Sequence, residues 1–486
     1  MRSSNRHARG PDAVNLPAMS PPRFPPLLRR LLALVVLAAC TVPGTRAQSA
    51  EAGRRPNFVV FLTDDQGYGD LSSYGHPTIS TPVIDRMARE GIRLTSFYAA
   101  PVCTPSRAQF LTGRYAFRSG LINAIGPAAP RGLEAAETTL AEALKAQGYR
   151  TALFGKWHLG DFATTPAFNP RAHGFDAFLG LPYSHDYRVP FVQNAPTVPL
   201  YRGFDEIERP VVAATLTQRL TQEAVAFIRD AGTEPFFLFV AYVMPHLPIE
   251  LPAEAVGRSR AGRYGDAIEE IDASVGAVLA ALKAQGVDGS TVTVYFSDNG
   301  PWTNAQARSY QEGQTLWDTG SAGPLRGSKA TTWEAGLRVP GVIRWPDRIQ
   351  PGRVSADPVS AMDLYPTFVR LAGGRTPAAR PLDGLDLSEF LLEGARSPRR
   401  ELFYVLGSDL QAVRVDEWKL RLNPAPGASP SDAVPAELFD LERDPGERLD
   451  VASEHPDVVA RLRARLANFR REMPSLNRAP AAAGGP

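Results

Sequence analysis

Four apolar runs along the chain share one design: each is rich in Val, Phe, Leu or Tyr, and each stops at polar or ionisable residues. Phe58 to Leu62 ends at Thr63-Asp64-Asp65, and Tyr149 to Phe154 ends at Gly155-Lys156-Trp157-His158. Phe236 to Val243 ends at Met244-Pro245-His246, and Thr291 to Phe296 ends at Ser297-Asp298-Asn299-Gly300. Short runs of this composition predict buried strands. Val339 to Trp345 begins a further apolar segment. Helical patterns lie between the runs, at Pro82 to Glu90, Leu140 to Gln147, Leu216 to Asp230 and Tyr264 to Gln285. Strands alternating with helices predict an α/β domain with a largely parallel sheet. Ligands of such sheets bind beyond the carboxyl ends of the strands, which is where these polar residues fall.

The texture changes after about residue 385. Glu401 to Leu406, Leu410 to Val415 and Trp418 to Leu422 read as short antiparallel strands, followed by a helix over Pro456 to Arg471. The expected organisation is a catalytic domain over 56–385, a small α+β domain over 386–475 and a disordered tail over 476–486.

Residues 1–47 read as an export segment. Arg29-Arg30 precede the apolar run Leu31 to Ala39, which is too short to span a membrane and suits a signal-peptide core, with Met19 as the start. Two processing readings stand: cleavage after Thr45-Arg46-Ala47, or lipidation at Cys40 within the lipobox-like Leu37-Ala38-Ala39-Cys40. The expectation is an exported protein, periplasmic, secreted or lipid-anchored in the outer membrane, with no transmembrane span.

Composition narrows the chemistry. Lys+Arg 53 against Asp+Glu 51 gives a net charge of +2, which offers no reason to expect a nucleic-acid partner. The lysines are Lys145, Lys156, Lys283, Lys329 and Lys419, so arginine supplies nearly all the cationic side chains. A lysine kept against that bias invites a specific role, because an ammonium can pass a proton and a guanidinium cannot. Of the two cysteines, Cys40 lies in the export segment, which leaves Cys103 as a lone thiol. In an oxidising compartment such a thiol is a liability unless it is buried or used.

Asp64-Asp65 and Asp298-Asn299 place three carboxylates and an amide oxygen at two strand ends. Either pair alone could be turn or cap residues. Together they suit a hard cation, Ca²⁺ or Mg²⁺. Cys103 lies in Val102-Cys103-Thr104-Pro105-Ser106-Arg107, where Pro105 just inside a helix start puts the cysteine at a helix N-terminus. That position predicts an acidified, nucleophilic thiolate; a buried inert cysteine is the alternative. Neither accounts for hard oxygen ligands nearby.

Cys103-Thr-Pro-Ser-Arg107 with Leu111-Thr-Gly113 resembles the signature of the formylglycine-dependent sulfatases, and Gly148 to Gly160, containing Lys156-Trp-His158, resembles their second signature. Pro56 to Asp70, Ser297 to Gly300, Gly327 to Gly336 and Glu437 to Glu447 extend the similarity over roughly 56 to 470. Leu181-Pro-Tyr-Ser184-His185-Asp186 is most similar to the arylsulfatase A and N-acetylgalactosamine-6-sulfatase branch. An apparent lack of the animal enzymes' disulfides, the arginine-rich composition and the lipobox-like stretch suggest a bacterial member.

The resemblance implies an alkaline-phosphatase-like fold, a large mixed sheet sandwiched by helices. It implies that a formylglycine-generating maturation enzyme oxidises Cys103 to formylglycine, and that Asp64, Asp65, Asp298, Asn299 and the modified Cys103 hold the metal. Arg107, Lys156 and Lys329 would offset the charge of a sulfate monoester, with Ser184 supporting substrate. The hydrated aldehyde would attack sulfur, His246 or Lys329 would protonate the leaving oxygen, and His158 would take the proton from the second hydroxyl so that sulfate departs. The substrate class is a sulfated carbohydrate or aryl sulfate. His185 is left unassigned, and His76, His173 and His455 read as structural. Two other readings stand: a phosphonate or phosphodiester hydrolase of the same superfamily, and a lipid-anchored protein that binds sulfated glycans without cutting them.

Overall fold

A computed structural model describes residues 55–472 except 193–196, 306–308, 311–313, 378–379 and 424–433. The expected export segment with Cys40 and the expected tail lie outside the described residues. Among the described residues, no helix is long and apolar enough to cross a membrane.

The main sheet is built from β1 (Asn57–Thr63), β2 (Ile92–Tyr98), β3 (Arg150–Lys156), β4 (Ala177–Leu181), β5 (Leu200–Arg202), β6 (Asp205–Glu208), β7 (Phe236–Ala241), β8 (Thr291–Ser297), β9 (Arg338–Arg344), β10 (Arg353–Ser355) and β11 (Val359–Ser360). The order is β10-β2-β9-β8-β1-β7-β3-β4-β5-β6, with β11 also paired to β2. The four runs foreseen from the sequence are β8, β1, β7 and β3, side by side and parallel at the centre. Their ends are level: Thr63 is opposite Ser297, Leu62 opposite Ala241, and Ala241 opposite Gly155. The polar residues after each run are therefore delivered to one edge of the sheet.

The sheet is mixed, and less uniformly parallel than the alternation of runs suggested. β9 runs against β2 and β8, and β5 runs against β4 and β6. After β8 the chain stays at the carboxyl edge, so β9 must enter the sheet from that edge and run backwards. The connection between them carries Lys329.

Both faces are covered, which is why β1, β7 and β8 are buried at every position rather than at alternate ones. Val59 and Phe61 pack with Ile84, Leu220, Phe227, Ile268 and Ile271 from helices Pro82–Arg89, Leu216–Asp230 and Gly262–Ala284. Phe58, Val60 and Leu62 pack with Phe110, Leu111, Leu140, Leu144 and Phe368 from helices Cys103–Thr112, Leu140–Lys145 and Leu364–Leu371. Each such buried aromatic or aliphatic side chain contributes about 1.5–3 kcal/mol.

A second, antiparallel sheet is ordered β12 (Glu401–Leu406), β13 (Asp409–Val415), β14 (Trp418–Leu422) and β15 (Ala436–Asp440). The helix Pro456–Glu472 lays Leu462, Leu466 and Phe469 on it, and Phe469 stacks on Phe403 at 3.6 Å. β15 is a fourth strand, absent from the three expected from apolar pattern.

Candidate active site

The site begins where β1 and β8 stop. Asp298 N–H donates to Thr63 O at 3.0 Å, which sets Asp298-Asn299 beside Asp64-Asp65. Asp65 takes a left-handed backbone, φ 65°, and its N–H donates to Asp298 Oδ1 at 3.2 Å. Gly300 lets this turn press on the Lys329 loop: a Cβ there would lie 1.6 Å from Ala335 O. At the end of β3 a Cβ on Gly155 would lie 1.8 Å from Ala241 O, so only glycine permits the close strand approach that precedes Lys156.

Cys103 opens the helix Cys103–Thr112, as expected, with Sγ 3.3 Å from Asp64 Oδ1 and 3.9 Å from Asp65 Oδ1. Ligand atoms of Asp64, Asp65, Cys103 and His246 all lie within 4.8 Å of one another. Asp298 adjoins that group, its Oδ2 held by Arg107 through Nε at 3.1 Å and Nη2 at 2.8 Å. Arg107 also donates to Lys156 O at 2.7 Å and lies 3.6 Å from Asp64 Oδ2. Lys156 Nζ is 2.5 Å from Asp64 Oδ2. Lys329 Nζ is 2.7 Å from Asp65 Oδ1, and His246 Nε2 is 3.5 Å from Asp65 Oδ2. Asp64, Asp65, Asp298, Arg107, Lys156 and Lys329 thus form one buried cluster of three anions and three cations.

The expected acidification of the Cys103 thiol is not found. Burial, with the Asp298 and Asp64 carboxylates added, pushes the thiol well above its ordinary value. The helix N-terminus is outweighed because the thiol faces acceptors in a site closed to water. Residue 103 as a plain thiolate nucleophile does not fit this environment.

The carboxylates are unequal. Burial would raise Asp64, but the cations Lys156, Arg107 and Lys329 hold it well below the usual range. Asp65 is raised by burial and by Asp64 against the pull of Lys329. Asp298 is raised to about 7 by burial and Asp64, although Arg107 and Lys156 oppose this. Three carboxylates this close call for a further positive charge among them.

Among the residues to which the sequence assigns a role, Asn299 Oδ1, Ser184 Oγ and both ring nitrogens of His158 are buried with no hydrogen-bond partner among the described residues; nearby His185 Nδ1 and Asp186 Oδ1 are in the same state. Asn299 spends its Nδ2 on Asp65 Oδ1 at 2.8 Å. His158 has φ 61° and is held by Thr104 Oγ1, which donates to His158 O at 2.8 Å. Burial, then Lys156 and Arg107, push its imidazole well below its ordinary value, so it is neutral. His246 is likewise neutral, lowered to about 3 by burial and Lys329, with Nδ1–H donating to Leu247 O at 2.6 Å. His185 is fixed by Nε2 on Pro248 O at 2.8 Å, with its ring 5.8 Å from that of His246.

The other histidines among the described residues lie elsewhere. His76 Nδ1 accepts the Ile79 N–H, His173 stacks on Trp157, and His455 packs on Trp418.

Trp302 was not singled out from the sequence. Its ring centroid is 4.5 Å from Lys329 Nζ, and its indole lies 5.3 Å from the His246 ring. Its place directly after Asn299-Gly300-Pro301 was the available signal.

Two family models match this chain: Sulfatase over residues 56–374, and N-sulphoglucosamine sulphohydrolase, C-terminal, over residues 328–472. The chain belongs to the sulfatase family. N-acetylgalactosamine-6-sulfatase of Rattus norvegicus is 38% identical, over 85% of this chain and 85% of its own. Arylsulfatase A of Bos taurus is 38% identical, over 87% of this chain and 90% of its own. The crystal structure of PsFucS1 sulfatase from Pseudoalteromonas sp. superposes with a TM-score of 0.77 at 29% identity, covering 94% of this chain and 96% of that one. This sulfatase is a sulfuric ester hydrolase, and its donor set fits a hard divalent cation. The orphaned Asn299 oxygen and the crowded carboxylates of Asp64, Asp65 and Asp298 are what such an ion would satisfy.

Proposed function

We propose that this sulfatase cleaves sulfate monoesters of a sugar or aryl alcohol with formylglycine made from Cys103, and with one Ca²⁺ or Mg²⁺ held by Asp64, Asp65, Asp298 and Asn299. The observation that carries the reading is the placement of Cys103 Sγ 3.3 Å from Asp64 Oδ1, inside a buried cluster whose cations equal its anions. A divalent cation would leave that cluster net positive, as an anionic sulfate ester requires. When present, the hydrated aldehyde and the cation supply an oxygen nucleophile and polarise the sulfate.

The chain's own residues do the rest. Lys156 and Arg107 lie on the Asp64 and Asp298 side and neutralise charge on the sulfate oxygens. Lys329 lies on the Asp65 side, its ammonium against Trp302, and presents N–H donors to the leaving oxygen. The Leu247 carbonyl keeps a hydrogen on His246 Nδ1, so that Nε2 faces the same region. His158, neutral and unpartnered, is a base able to take the proton whose loss frees sulfate. Ser184, with an unpartnered hydroxyl, supplies a further contact to substrate. Export through the segment before residue 48, and maturation by a formylglycine-generating enzyme, complete the proposal.

Side-by-side turnover of an aryl sulfate, a phosphate diester and a phosphonate monoester by the purified enzyme tests it. Sulfate turnover should dominate. A dominant phosphonate or diester rate would overturn the substrate reading.

A further inference from the structure

Of the five lysines, Lys145 and Lys283 are exposed, and Lys156 and Lys329 lie in the active site. Lys419 is the fifth, on β14 of the small sheet, and its side chain is 0% exposed. A buried ammonium needs matched partners, and two of the three partners of Lys419, Thr332 and Glu334, belong to the loop that carries Lys329.

Residues 326–335 form that loop, closed at its base by Ala335 N–H donating to Arg326 O at 2.8 Å. On the catalytic side, Lys329 N–H donates to Pro301 O at 2.9 Å and Ala330 N–H to Pro101 O at 2.8 Å. These acceptors lie two residues after Asn299 and two before Cys103. Ala330 sits in the left-handed region, φ 62°, so this end of the loop has a fixed, strained shape.

On the opposite side the loop is fastened to the small sheet. Lys419 Nζ donates to Thr332 O at 2.8 Å and to Glu334 Oε1 at 3.0 Å, and pairs with Glu447 Oε1 at 2.7 Å. Glu447 Oε2 accepts the Glu334 N–H at 2.7 Å, and Arg326 donates to Glu447 O at 2.9 Å. Tyr404 and Tyr98 donate to the two oxygens of Glu334, at 2.8 and 2.6 Å. Arg326 and Arg421 lie 3.6 and 3.9 Å from the Trp333 ring centroid.

We infer that Lys419 is a positioning residue for Lys329: by holding Thr332 and Glu334 it sets where the Lys329 ammonium meets Asp65 and the leaving oxygen. The inference rests on the role proposed above for Lys329. It gives the small sheet a part in the reaction although no residue of that sheet contacts Cys103, Asp64 or Asp65 in the hydrogen-bond and ion-pair network described.

The test is a cycle of variants assayed on an aryl sulfate. Lys419→Met alone leaves Glu334 and Glu447 buried against an apolar chain and risks misfolding. Lys419→Met combined with Glu447→Gln removes one charge of each sign, and the amide oxygen then at position 447 can still accept the Glu334 N–H. The paired variant should melt cooperatively and lose about 10- to 100-fold in kcat/KM, the scale of a misplaced catalytic group. In a Lys329→Ala background the same pair should cost less than about twofold, because the group it positions is gone. An equal loss in both backgrounds would overturn the inference. Unchanged turnover of Lys329→Ala itself would instead overturn the proposed role of Lys329, and the inference with it.

Discussion

Lys156 Nζ lies 2.5 Å from Asp64 Oδ2, and both side chains are fully buried. The two residues close strands β3 and β1, which are separated by β7, so the pair bridges the carboxyl edge of the sheet. It ties the second sequence signature, Gly148 to Gly160, to the segment Pro56 to Asp70.

Removing the ammonium strands a buried carboxylate. Lys156→Met should abolish most turnover and cost about 3–5 kcal/mol in urea unfolding of metal-depleted protein. Added Ca²⁺ should recover part of that stability by replacing the lost charge next to Asp64. No recovery would show that the cation does not sit there.

Metal removal is the complementary perturbation. Chelation should stop turnover and lower the melting midpoint, and Ca²⁺ or Mg²⁺ should restore both. Asn299→Ala deletes the orphaned oxygen and should weaken cation binding by at least the ~10- to 100-fold that loss of even an outer-shell partner costs. Calorimetric titration of metal-free protein reads this directly, and unchanged affinity would remove Asn299 from the ligand set.

Asp70 predicts a pH dependence outside the metal cluster. Its carboxyl accepts the Gly67 and Ser321 N–H groups at 2.6 Å and the Tyr264 hydroxyl at 2.5 Å. Burial raises it to about 7 against the pull of those hydrogen bonds. The unfolded value is about 3.9, so the fold binds this proton more tightly than the unfolded chain does. The stabilising contribution is full below about pH 4 and is lost as pH rises through about 7. Melting curves from pH 5 to 8 should fall more steeply for the native protein than for Asp70→Asn. Parallel slopes would contradict the assignment.

The carboxyl edge of the sheet was legible in the sequence because parallel strands buried on both faces write themselves as unbroken apolar runs. The first polar residues after β1, β3, β7 and β8 are then site residues. β2 escaped because Ile92-Arg-Leu-Thr alternates instead, and β5, β6, β10 and β11 are two to four residues long. The reversed direction of β9 depends on where a forty-residue connection between residues 298 and 337 travels, which no local pattern encodes. The Cys103 thiol was misjudged for a related reason. Helix position is local, whereas the Asp64 and Asp298 carboxylates that raise it arrive from distant segments. Lys156 and Lys329 stood out by their rarity, and Lys419 shared that rarity, but its Glu334 and Glu447 partners exist only in the fold.

The account turns on what occupies position 103. Peptide mass spectrometry across Ala100 to Arg114 of fully active enzyme measures it. The predicted result is an aldehyde, or its hydrate, in place of the cysteine side chain, in a proportion that tracks specific activity between preparations. Full activity with an intact Cys103 thiol throughout would contradict it.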